Sequence, residues 1–524
     1  MDRRFVVLAS ISCMTLGATS ERALAQGTWR VSVDSSGGQG NGNSNDPSIS
    51  ADGRFVAFES AATNLVPGDT NDWPDVFVHD RQTKTTIRVS VDSSGIQAND
   101  HCYAPSISGD GRFVAFWSYA TTLVRDDTNM YADVFVHDRQ DGTTSFVSID
   151  SSEAQGNNDC YDPSISADGR LVAFHGHATN LVPNDTNDEF DVFVRDRQAG
   201  RTSRVSVDSS GVQGNLNSNL PSISGDGRFV AFESAATNLV PGDTNNRVDV
   251  FVHDRQTGTT SRVSVDSSGL EGNLNSFLSS ISGDGRFVAF QSNATNLVPG
   301  DTNGWVDVFV YDRQNGMTSR VSVDSEGNQA NNQCGRPSIS ADGRLVTFHS
   351  AATNLVPQDT NGTQDVFEHD CQTRTTNRVS VDSSGEQGNG GSERSSISAD
   401  GRFVAFFSRA SNLASNDTNN SEDVFVHGPY LTLEAIPEIV SVGNTLTFST
   451  YTGQPSGLVR LTAIRDDGTA LVNFQKGSFD GDGVWFLSIL VPPSLAGRVI
   501  RFQSFGVAPE GQMAWSNVEY VTFL

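Results

Sequence analysis

PSISADGRFVAFES at residues 47–60, followed by DVFVHDRQTKTTIRVSVD at residues 75–92, decides how this chain reads. Both stretches are short runs of Val, Ile, Phe and Thr cut by turn residues, and no helical period competes with them. Four strands follow, at residues 47–50, 55–60, 75–80 and 87–91. The first two join through Asp52-Gly53, where glycine accepts the positive φ of a tight turn. Arg81 to Thr86 join the other two at hairpin length.

The stretch recurs. Arg88 follows Arg30 by 58 residues, and the unit starts again at Phe146, Arg204, Arg262, Arg320 and Arg378 without insertion or deletion, giving seven copies. A fixed period of this kind means one supersecondary unit packed against copies of itself. Four antiparallel strands per unit, here called A to D from the inside outward, make a propeller blade. The chain enters on a lone D-type strand at residues 30–34, while the last unit supplies A, B and C at residues 395–427 and leaves the pattern at Gly428-Pro429. The first strand therefore completes the last blade and removes the exposed edges of an open array. The expected fold is all-β: a seven-bladed β-propeller closed by an N-terminal strand, plus a C-terminal β-sandwich domain.

The pair PSISADGRFVAFES and DVFVHDRQTGTT resembles the WD40-like repeat of TolB-type β-propellers of secreted bacterial proteins, whose units carry a P-x-W-S-P-D-G-x-x-I-A-F core and a D-x-x-T-G turn. It spans residues 30–427 and implies the fold. Such repeats serve binding proteins, translocation accessories and peptidase propellers alike, so the resemblance selects no single activity. Ile49 and its equivalents replace the Trp, and a long loop separates strands B and C.

Residues 1–25 combine Arg3 and Arg4, an apolar run from Phe5 to Ala18 and an Ala23-Leu24-Ala25 end, which reads as a secretory signal peptide cleaved after Ala25. The run is too short to span a bilayer. The expected location is secreted or periplasmic, with the propeller at residues 26–429 and the sandwich, of immunoglobulin-like size, at 430–524. A net charge of -27 with no basic stripe excludes nucleic acid and anionic membrane surfaces, and it suits divalent cations. Cys102, Cys160 and Cys334 share one offset in their repeats; Cys102 and Cys160 fall on consecutive blades, where a disulfide and separate thiols both stand as readings. Cys371 replaces the usual Arg of the C–D turn.

The loop between strands B and C carries Asp-Thr-Asn-x-x-x-Asp in every copy: Asp69, Asn71, Asp75; Asp127, Asn129, Asp133; Asp185, Asn187, Asp191; Asp243, Asn245, Asp249; Asp301, Asn303, Asp307; Asp359, Asn361, Asp365; Asp417, Asn419, Asp423. Oxygens at relative positions 1, 3 and 7 resemble part of a calcium-binding loop, without the Glu at 12. Two carboxylates roughly 5 Å apart repel by about 3 kcal/mol at an effective dielectric near 20, and a calcium ion would reverse that. The same residues also make Asx-turns that need no metal. Both readings stand.

The long D–A and B–C loops share one face, which is the candidate binding face. Residues that differ between repeats gather there: Asn45-Asp46, Tyr103-Ala104, Tyr161-Asp162, Asn219-Leu220, Phe277-Leu278, Gly335-Arg336 and Glu393-Arg394 before strand A, and Trp73, Tyr131, Phe190, Arg247 and Trp305 in the B–C loop. Blades 1 to 3 hold an excess of rings, namely His101, Tyr103, Trp117, Tyr119, Tyr131, Tyr161, His175 and His177. Aromatic faces beside Asp and Asn suit sugar or peptide recognition, so the expected partner is a protein, peptide or glycan bound by a monomer. His175-x-His177 lacks a third zinc ligand. The strand-C His (His79, His137, His253, His369, His427) gives way to Arg195 and Tyr311, as a packing position would. No nucleophile elbow, HExxH or P-loop occurs. The reading is therefore a binding or scaffold protein; the alternative is a glycan-active hydrolase or lyase using the cluster Asp159, Asp162 and His175 at the channel mouth.

Overall fold

The computed structural model describes residues 26–429 throughout and, beyond them, seven strands of the C-terminal segment. Residues 1–25, where a signal peptide is expected, and the remaining C-terminal residues lie outside the described residues. Blade 1 consists of Ser44–Ile49 (A), Phe55–Ser60 (B), Asp75–Asp80 (C) and Thr85–Arg88 (D). Five further four-stranded antiparallel sheets repeat it. The seventh is built from Ser392–Ile397, Val404–Ser408 and Asp423–Pro429, with Gln26–Arg30 as its outer strand. The N-terminal strand closes the ring.

Strand boundaries differ from the sequence reading. Strand A begins at Ser44, three residues early, and crosses a bulge between Asn45 and Ser48. Strand D ends at Arg88, not Val91, because the chain turns away from the sheet once Ser90 engages Asp75 through its side chain at 2.5 Å. The N-terminal strand likewise lies at 26–30, with Val31 N–H still donating to the Val424 carbonyl at 2.8 Å.

The core lies between blades. Val76, Val78 and Val89 of blade 1 pack on Ile107, Val114, Phe116 and Phe135 of blade 2, and the same set recurs around the ring. Phe58 pairs with Phe77 across strands B and C, their ring centroids 6.0 Å apart. Burying each such ring contributes about 2 kcal/mol. Interblade contact also explains the Asp-Gly turn: Gly53 has φ +72°, and a Cβ there would lie 2.1 Å from the Phe403 ring of blade 7.

Residues 27–428 form one compact unit, and residues 429–524 belong to a second. Within the second, a five-stranded sheet runs in the order Ile439–Val440, Met513–Phe523, Val499–Val507, Leu458–Ile464, Ala470–Ser478, and Thr445–Tyr451 pairs with Val484–Leu490.

Candidate functional site

The long loops are held together on one face. Asn41 N–H donates to Asn64 Oδ1 at 2.9 Å, Thr63 N–H to Asn41 Oδ1 at 2.8 Å, and Asn64 Nδ2 to the Gln39 carbonyl at 2.9 Å. The D–A loop is thereby clamped to the B–C loop, and the pattern repeats as far as Asn389 and Asn412 in blade 7. At the opposite end of strand A the backbones of neighbouring blades touch directly, as in Ala51 N–H to the Gly109 carbonyl and Gly109 N–H to the Ala167 carbonyl, both at 2.9 Å. Only Ala or Gly occupies this position in the seven copies, because the backbones approach so closely. Further up strand A, Ser48 Oγ accepts the Ile107 N–H of the next blade at 3.1 Å, and Ser396 Oγ accepts that of Ile49 across the closure.

At the long-loop end each strand A carries one residue with positive φ at its bulge: Asp46, Ala104, Asp162, Leu220, Leu278, Arg336 and Arg394, with φ between 46° and 51°. A left-handed backbone at non-glycine residues, Leu included, is strained. Strand B of the preceding blade supports it. Glu59 Oε2 accepts the Ala104 N–H at 3.3 Å, His175 Nδ1 that of Leu220 at 3.4 Å, Glu233 Oε2 that of Leu278 at 3.0 Å and Gln291 Oε1 that of Arg336 at 2.7 Å. These supports were not legible individually. Their signal is the fifth residue of FVAFxS, which varies as Glu59, Trp117, His175, Glu233, Gln291, His349 and Phe407 while the Phe before it stays constant and the Ser after it changes only once, to Gly176.

The bulge residues converge on the axis. Asp162 of blade 3 interacts electrostatically with Asp46 of blade 1, Arg336 of blade 6 and Arg394 of blade 7, and only an axial position reaches all of them. Burial, then the charge of Asp46, raises the Asp162 carboxyl above its ordinary range, against the Trp117 indole and the two arginines. Burial likewise raises Glu59 and Glu233 and lowers His175 to about 4. Arg394 pairs with Asp46 across the seam between the last and first blades.

Beside this charged ring the flagged aromatics form a continuous arc. Ring centroids step from Trp73 to His101 (4.3 Å), Tyr103 (5.4 Å), Trp117 (4.8 Å), Tyr161 (4.9 Å) and Phe190 (6.4 Å), with His175 5.9 Å from Tyr161 and His177 5.1 Å from Phe190. Tyr119 joins edge-on to Trp117 at 5.6 Å. Trp73 and Tyr119 keep 42% and 37% of their surface exposed. Tyr131 and Trp305 are as exposed and stand outside the arc. The triple Asp159, Asp162 and His175 is not assembled as one unit: Asp159 Oδ1 accepts the Ala132 N–H at 2.8 Å in the loop, while His175 is spent on Leu220.

The Asp-Thr-Asn loops hold a cation of the chain's own. Arg88 Nη1 lies 3.1 Å from both Asp69 Oδ1 and Asp75 Oδ2. Arg204, Arg262, Arg320, Arg378 and Arg30 bridge the equivalent pairs in blades 3 to 7. The Asn makes an Asx-turn, Asn71 Oδ1 accepting the Trp73 N–H at 3.2 Å while its Nδ2 donates to the Ala98 carbonyl at 2.9 Å. A calcium ion in those six blades would have to displace the guanidinium. Blade 2 differs, because Phe146 replaces the arginine and leaves Asp127 and Asp133 to Gln155 Nε2, which donates to them at 2.7 and 3.0 Å as Gln387 does beside the arginine in blade 6. Burial pushes Asp133 up to about 7 there.

Cys102, Cys160 and Cys334 are free thiols buried in separate interblade clusters, and Cys371 is half-buried against the cluster that holds Cys334. Cys102 stands where other blades have a buried serine, and its Sγ lies 3.3 Å from Ser118 Oγ.

Seven four-stranded sheets in a closed ring settle the architecture. The chain is a seven-bladed β-propeller whose repeats resemble those of TolB-type propellers. No protein-family model matches the chain, and no curated protein does. Among solved structures it is similar to a candidate TolB from Agrobacterium tumefaciens (14% identity, 66% of this chain and 95% of that one, TM-score 0.36). It is also similar to the extracellular domain of a candidate hybrid two-component system of B. thetaiotaomicron (9%, 95% and 59%, TM-score 0.42). A third is the periplasmic gluconolactonase of Pseudomonas aeruginosa (14%, 86% and 99%, TM-score 0.33). No helix among the described residues is long and apolar enough to cross a membrane.

Proposed function

We propose that this propeller is a secreted or periplasmic binding protein whose ligand, a saccharide, sits at the axial mouth of the long-loop face. The observation that carries the reading is the arc from Trp73 to Phe190, which continues into the half-buried carboxylate of Asp162. Ring faces cover the apolar C–H surface of a sugar, and neighbouring carboxylates accept its hydroxyls. The loop clamps hold this surface in place before a ligand arrives, which reduces the entropic cost of binding. Calorimetric titration against a glycan panel tests it. Trp73→Ala and Tyr119→Ala should each weaken binding about tenfold, while Trp305→Ala, equally exposed outside the arc, should leave it unchanged. Equal effects of all three substitutions would reject the site.

A further inference from the structure

Blade 6 breaks the pattern of the axial rim in three ways at once. Its residue at the start of the bulge is Gly335, where the other blades have Asn45, Tyr103, Tyr161, Asn219, Phe277 and Glu393. A Cβ at Gly335 would lie 2.5 Å from Gln291 Oε1, so the rim is bare of a side chain at this point. Facing Gly335 across strands A and B is His349. Its Nδ1 is buried without a hydrogen-bond partner, although His175, at the same register in blade 3, accepts the next blade's bulge N–H. The next residue, Arg336, carries a guanidinium with no ion-pair partner within 4.0 Å among the described residues. Arg394 of blade 7 lies near both, and the two arginines repel each other and disfavour a charge on His349.

We propose that Arg336, Arg394 and His349 form a subsite for a carboxylate carried by the saccharide that the mouth binds, which makes the ligand an acidic sugar of the uronate class. The inference rests on the axial mouth being the binding site. An Arg guanidinium presents a planar fork of N–H donors that matches a carboxylate in two parallel bonds. A carboxylate between Arg336 and Arg394 would relieve their repulsion and give the His349 ring nitrogen a partner, Nδ1–H donating to the second oxygen. Asp46, Asp162 and Glu393 also act on Arg336, but Asp46 is already engaged by Arg394 and none of the three forms an ion pair with Arg336. These acids share the mouth with the two arginines, so a dianionic phosphate would meet more repulsion than a singly charged carboxylate.

Titration of the full chain with D-glucuronate, D-glucose and acetate tests this. Glucuronate should bind about tenfold tighter than glucose, and Arg336→Gln should bring the two to equal affinity. His349→Phe, which removes the donor and keeps the ring, should weaken glucuronate and leave glucose unchanged. Equal affinity for glucuronate and glucose in the unsubstituted protein, or a glucuronate preference that survives Arg336→Gln, would overturn the subsite while leaving the aromatic reading intact. Acetate and glucuronate binding that depends on Arg336 but not on Tyr119 would keep the subsite and remove the saccharide arc. No binding of glucuronate or acetate overturns the subsite.

Discussion

His79 Nδ1 lies 2.9 Å from Thr86 Oγ1. The Thr86 hydroxyl gives its one proton to the Val33 carbonyl in the loop between blades 7 and 1, so His79 must donate from Nδ1. The same relay joins His137 to Thr144 and His253 to Thr260. In blade 3, Arg195 substitutes by reaching the Asp150 carbonyl at 2.9 Å and Thr202 Oγ1 at 3.2 Å. The strand-C histidine is a strut between blades.

Burial holds His79 at about 4, below its unfolded value, so its neutral form stabilises the fold at neutral pH and that contribution is lost as acid protonates it. Replacing His79→Gln keeps a donor for Thr86 and removes the titration. The stability of the variant relative to the parent should improve by about 2 kcal/mol between pH 7 and pH 4.5, measured by chemical denaturation. A pH-independent difference would show that His79 is not held neutral.

The carboxylate pairs predict a second pH effect, opposite in sign. Asp133, raised to about 7, destabilises the fold when ionised, so its cost appears as pH rises from the unfolded carboxylate value through 7. Phe146→Arg should supply blade 2 with the guanidinium that the other blades have. Its stabilising effect should be larger by about 1 kcal/mol at pH 8 than at pH 5. Calcium is expected at no more than one site per chain, at Asp127 and Asp133, and Phe146→Arg should abolish it in elemental analysis; six or seven bound ions would show that calcium displaces the arginines.

Ring closure depends on a short N-terminal segment. Thr28 Oγ1 is 2.9 Å from His427 Nδ1, and Arg30 reaches Asp423 at 3.4 Å. Deleting residues 26–36 should expose the edge of Asp423–Pro429 and lower the melting temperature sharply or cause aggregation. Arg30→Met, which leaves Asp417 and Asp423 without their cation, should cost about 3 kcal/mol. An unchanged melting curve for the deletion would contradict closure by this strand.

Repeat number, blade boundaries and closure were legible in the sequence because they follow from local periodicity: side chains alternate every second residue along a strand, and the repeat leaves one strand over at the N-terminal end and the last unit one strand short. The identity of the variable rim residues was legible too, since a constant scaffold makes variation visible at Asp162, Arg336 and Trp117. What these residues meet was not legible. Asp162, Arg336 and Arg394 are far apart in the chain and become neighbours only because the ring closes and brings distant blades to a common axis. The loop carboxylates show the same limit. Spacing within Asp69, Asn71 and Asp75 allowed an ion or a turn, and the partner that faces these carboxylates, Arg88, arrives from strand D through a fold in which buried carboxylates need a cation within reach.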